Sequence, residues 1–173
     1  MEQLVARGRI GAWGITGIGV PTTIITTLND DPAPAAVQVV ANLLDSPGAM
    51  QRYDEPPRPR EIIAAAYRRG LGLMGIRAVQ AGALTDALDR QVPEDHPERR
   101  DYQRSAPFRV LARELGESPA SLAHRYALSM VGVATVVLGV KNRTELWECL
   151  TAEARGVLDP VLMARIDAAV GRA

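Results

Sequence analysis

Four short apolar runs recur along this chain, each separated from the next by a segment with helical spacing. They are residues 9–16 (RIGAWGIT), 37–44 (VQVVANLL), 71–79 (LGLMGIRAV) and 134–140 (ATVVLGV). None shows the clean apolar–polar alternation of a half-solvated strand, so each reads as a strand covered on both faces. Strands of this kind alternating with helices predict an α/β fold with a parallel sheet and right-handed crossovers.

The segments between the runs carry helix signals. Residues 60–69 place Ile62, Ile63, Ala66 and Tyr67 at helical spacing and stop at Gly70. Ser118 followed by Pro119 reads as an N-cap with proline at the first helical position, opening a helix over 120–130. Asp159-Pro160 opens a last helix over 161–170, and helices are also predicted over 106–115 and from 144 to 150. Residues 1–8 look like the final turns of a helix closing on a glycine. Residues 47–59, with their prolines, predict an exposed connection, and 81–106 a long polar loop with some helix. Connections this long inside a domain are usually functional or disordered.

The 173 residues predict one domain, spanning 1–173. A chain of this size hides about two thirds of the surface its unfolded form exposes. Twenty Lys and Arg balance twenty Asp and Glu, which leaves no global field to draw nucleic acid or an anionic membrane. No apolar run reaches the ~18 residues of a membrane span, and the amino terminus has charges where a signal peptide needs its apolar centre. The single cysteine, Cys149, excludes an intramolecular disulfide and gives no zinc pattern. A soluble cytoplasmic protein without a metal is the expectation.

In parallel α/β folds ligands lie at the carboxyl ends of the strands, a rim that collects Thr16, Asn42, Asp45, Arg77, Lys141 and Asn142. Arg77 is expensive to bury unpaired and should meet a carboxylate such as Asp45, or an anionic ligand. His96 beside Asp95 has the composition of a general base, or of a solvated loop histidine. Tyr102, with Tyr53, could overhang the rim from a loop. The candidate catalytic residues are thus Asp45, Arg77, His96 and Tyr102. His124 reads as a helix-face histidine and Cys149 as a small apolar filler.

Taken in order, RIGAWGIT, VQVVANLLD, GLGLMGIRAVQAGALT and VVLGVKNRTELWECL resemble the fifth to eighth strands of an aldo-keto reductase. The resemblance covers nearly the whole chain and implies half of a (β/α)8 TIM-type barrel, about four parallel strands with covering helices. In that family the catalytic Tyr, Asp, Lys and His are carried by strands one to four, and none has a matching position here. The same resemblance implies a nicotinamide cofactor, NADPH in many members. Gln38 and Thr16 match groups that bind the nicotinamide carboxamide, and Gly139, Lys141, Asn142, Arg143 and Glu148 fall in the motif around the adenosine phosphate. Four positions depart from the pattern: Gly17 for an asparagine, Ile76 for an aromatic ring, Glu145 for an arginine that reads the 2′-phosphate, and Cys149 for an asparagine.

Three functions are compatible with this. One is a small-molecule site at the rim repurposed for a non-redox cyclisation, dehydration or isomerisation. Another is a carbonyl oxidoreductase completed by a partner that supplies the missing half, and the third is a non-catalytic nucleotide-binding relic. In every case four strands taken from a closed barrel leave two bare edges and half an apolar interior. A homodimer that completes the barrel is the expectation.

Overall fold

The computed structural model describes residues 1–88 and 90–172. Four strands, β1 (Gly14–Gly17), β2 (Ala36–Val40), β3 (Gly72–Ile76) and β4 (Thr135–Val136), form one sheet in the order β1-β2-β3-β4. Every neighbouring pair is parallel. Around them run α1 (Glu2–Ala6), α2 (Pro21–Asn29), α3 (Pro59–Arg68), α4 (Pro97–Arg104), α5 (Ala106–Glu114), α6 (Pro119–Ser129), α7 (Arg143–Ala154) and α8 (Pro160–Ala169).

The helices begin where local chemistry tells them to. The Ser118 hydroxyl accepts from Ser121 N–H at 3.1 Å, and the Asp159 carboxylate accepts from Leu162 N–H at 2.9 Å. Each is followed by a proline whose missing N–H costs the first turn nothing. Helix α3 ends before Gly70, which takes φ +67°, a conformation glycine enters without a Cβ penalty.

The two faces of the sheet differ. Val37, Val39 and Leu73 are buried together with Ile24 and Leu28 of α2 and Ile62, Ile63 and Ala66 of α3 in one core. Phe108, Leu122, Tyr126 and Ile166 from α5, α6 and α8 extend that core. On the opposite face the register aligns Thr16, Gln38, Met74 and Thr135 in a row across all four strands. Alternate residues of a strand point to opposite sides, so this row faces away from α2 and α3. All four of its members are half-buried or exposed.

The strands are shorter than the apolar runs. Residues 9–13 precede β1 rather than belonging to it, and β4 keeps two residues of the seven expected. β3 ends at Ile76 because Arg77 turns into the left-handed region at φ +60°, so this arginine does not lie within a buried strand. The long polar stretch after β3 holds a 3-10 turn, Gln80–Gly82, and the full helix α4. Among the described residues no helix is long and apolar enough to cross a membrane.

Candidate functional site

At the carboxyl end of the sheet, a cleft of about 660 Å³ opens between the turn after β3 and the amino-terminal end of α7. That volume lies within the range of ordinary small-molecule sites. Its wall includes Gly82, Asp86, His124, Gly139, Lys141 and Glu145. Asn142 caps α7: its Oδ1 accepts from Glu145 N–H at 2.9 Å. The Glu145 carboxylate answers by accepting from Lys141 N–H at 2.8 Å and from Asn142 Nδ2 at 3.0 Å. This reciprocal arrangement satisfies donors that a helix start otherwise leaves open.

Deeper in the cleft, Cys149 Sγ lies 3.1 Å from His124 Nε2, both side chains being buried. Burial holds the His124 pKa below the ordinary histidine value, against the pull of Glu148. Burial, with Glu148 and Glu145 nearby, pushes the Cys149 thiol up. The pair is therefore a neutral thiol and a neutral imidazole, and Glu148 is engaged by the Ser118 hydroxyl. Arg143 is exposed at the first position of α7.

A second polar cluster ties the loops after β2 and β3 to α4. Asn42 and Gln80 are fully buried, and Asn42 Nδ2 donates to Ser46 O at 3.0 Å and Gln80 Oε1 at 3.2 Å. Gln80 Nε2 and Ser46 Oγ both donate to Asp101 Oδ2 at 2.6 Å. Arg77 donates through Nε to Gln80 Oε1 and through Nη2 to Glu98 Oε1, each at 2.8 Å. Burial works to raise the Glu98 carboxyl, but hydrogen bonds from Ala49 N–H and Arg77 outweigh it and its pKa lies below the usual carboxylate value.

His96 caps α4 and stands 2.8 Å through Nδ1 from Glu98 Oε2, a buried oxygen that accepts no hydrogen bond. As the cap, Nδ1 accepts from Glu98 N–H at 3.4 Å. Sequence reasoning paired His96 with Asp95 and Arg77 with Asp45; the structure gives Glu98 to both.

Asp45 and Tyr102 sit elsewhere. Asp45 is gripped by Arg60 Nε at 3.0 and 2.9 Å, and Arg60 reaches on to the Tyr126 hydroxyl at 2.6 Å. Tyr126 donates to Asp167 at 2.5 Å, so this cluster fastens α8 to α3 and α6. Tyr102 donates its hydroxyl proton to Asp86 O at 2.8 Å, while the Arg109 guanidinium lies 3.8 Å from the centre of its ring. Thr16 and Gln38 remain together on the open sheet face. Gln80, Glu98 and Asp101 were not singled out from sequence. The available signal was the spacing of Glu98, Asp101 and Ser105 on one face of the helix that starts at Pro97, all three of which are buried.

Comparison with known proteins places this geometry. A family model described as the aldo/keto reductase family matches residues 1–170. Among solved structures the chain is similar to the aldo-keto reductase AKR11C1 from Bacillus halodurans in its holo form, with TM-score 0.71 and 22% identity. That likeness covers 99% of this chain and 54% of the other, so this chain spans about half the length of the relative. A search of curated proteins gives no match.

Proposed function

This chain belongs to the aldo/keto reductase family, and on that footing we propose that its rim cleft binds the adenosine end of a nicotinamide dinucleotide, with Gln38 and Thr16 toward the nicotinamide. The observation that carries this is the 660 Å³ cleft where the carboxyl rim meets the amino-terminal end of α7. Gly139 and Lys141 offer close backbone approach there, while Val79, Ala120 and Val140 offer apolar surface for a purine. A bound reduced nicotinamide supplies hydride. The chain's own residues supply binding and orientation.

Reduction of a carbonyl also needs a proton donor at the reacting oxygen. Asp45 is clamped by Arg60, Arg77 is paired with Glu98, and Tyr102 gives its proton to a backbone carbonyl. In this reading the acid is contributed by another segment or chain, and these residues are the cofactor half of the enzyme. A cytoplasmic setting accords with it, since the one thiol is buried and free.

A non-redox reaction at the same rim is the second reading. It is favoured by the His96–Glu98 contact, which sets an imidazole beside a buried carboxylate, the residue types of a general base.

We propose further that, in this second reading, a second copy completes the barrel. Apolar side chains are exposed at both edges of the sheet: Val137 (45%) after β4, Trp147 (67%) and Leu150 (45%) on α7, and Leu4 (40%) on α1 before β1. A twofold axis along the barrel keeps all strands parallel and brings β1 of one copy beside β4 of the other, twice. The same operation sets α1 against the partner's α7.

Calorimetric titration of the protein with NADH and NADPH tests the cleft. Micromolar binding of either supports it; no binding of either removes it and leaves the non-redox pocket.

A further inference from the structure

We infer that a groove between α3, the end of α6 and the first turn of α8 binds a small apolar carboxylate. The groove has a volume of about 440 Å³ and shares no wall residue with the rim cleft. A space of this size is in the range of small-molecule sites.

Helix α3 lends the groove one stripe of its surface. Arg60, Ile63, Ala64, Tyr67 and Arg68 all belong to the wall, and their spacing is that of neighbours along one helix face. The stripe carries a guanidinium at each end and apolar surface between them. Eight residues of helix set the two arginines about 12 Å apart along the axis. Facing the stripe are Met130 and Val131, which follow α6, and Met163 of α8. Methionine side chains adapt their shape to an apolar guest. Tyr67 is 58% exposed and Val131 74%, so a guest between them removes apolar surface from water on both walls.

Charge sets the class of the guest. Among the described residues the wall contains no carboxylate. Arg60, together with Arg172, balances Asp45 and Asp167. Arg68 forms no ion pair among the described residues, which leaves one positive charge of the wall uncompensated. A single negative charge matches it, and the planar guanidinium fork fits a carboxylate. An ammonium meets repulsion from both arginines. Recognition by the Ser129 hydroxyl is closed off, because it donates to Arg125 O at 2.6 Å and accepts from Leu158 N–H at 2.7 Å.

The test follows the ¹³C-labelled methionine methyl groups of the full chain by NMR at pH 7 while octanoate, octylamine, octanol or acetate is added. Met130 and Met163 lie in the groove wall, whereas Met74 lies on the open sheet face. Octanoate should shift Met130 and Met163, leave Met74 in place, and bind at least about tenfold more tightly than octylamine or acetate. Arg68→Ala, at an exposed position, should weaken octanoate about fivefold or more and leave octanol unchanged. Ala64→Trp should fill the groove and abolish the shifts, with circular dichroism confirming that both variants stay folded. Equal binding of octanoate and octylamine, an octanoate affinity unmoved in Arg68→Ala, shifts confined to Met74, or no binding of octanoate overturns the assignment. Exclusion of octanoate from Met130 and Met163 once the protein self-associates overturns it as well, and gives the groove to a second copy.

Discussion

Arg77 Nη2 donates to Glu98 Oε1 at 2.8 Å, joining the residue that ends β3 to the first turn of α4 across 21 positions of sequence. Both side chains are largely buried, the carboxylate at 3% exposure. Removing one partner of a buried pair leaves the other charge uncompensated, at a cost of about 3–5 kcal/mol. Glu98→Ala should lose about 3 kcal/mol in urea denaturation. Adding Arg77→Met should recover part of that loss, because neither charge of the pair then remains.

The same junction explains one glycine. Gly48 adopts φ +58°, and a Cβ there would lie 2.7 Å from Gln80 Nε2 and 2.8 Å from both Arg77 Nη2 and Glu98 Oε1. Those three atoms bond to one another or to neighbours and cannot retreat without breaking the network. Gly48→Ala should therefore destabilise the fold by about 2 kcal/mol or more, with strain and lost hydrogen bonds adding. Differential scanning calorimetry would show it as a lowered Tm.

His124 sets a pH dependence of known sign. Its folded pKa lies below the ordinary value because burial disfavours the imidazolium. In the window between the unfolded pKa, about 6.5, and the lower folded one, the unfolded chain binds the proton and the folded chain does not. Stability should thus fall as pH drops below about 6.5, and level off once the folded imidazole protonates. His124→Gln should flatten this part of the curve, measured as urea stability at intervals from pH 7 to 5; an unchanged slope would show that another group is responsible.

Completion of the barrel by a second copy predicts a particle of twice 18.6 kDa by light scattering. Trp147→Asp, at an exposed position of α7, should shift that mass toward the monomer without lowering secondary-structure content. A monomeric wild-type protein at micromolar concentration would remove the proposal.

The sequence by itself determined the periodic order of strands and helices, and with it the parallel sheet. It also determined the helix starts at Ser118 and Asp159 and the family, because these depend on local propensity, capping and the order of apolar runs. It placed His124 and Cys149 on helices but not beside each other, since they lie 25 residues apart. Only the tertiary structure decided that Glu98, rather than Asp95 or Asp45, serves both His96 and Arg77. Charged partners are chosen by which side chains share a buried volume, and a stretch as polar as residues 94–104 reads locally as solvated. Only the tertiary structure, likewise, showed Glu145 turned back onto its own helix start, where the hydrogen-bonding need of Lys141 N–H and Asn142 fixes a carboxylate in the cleft wall.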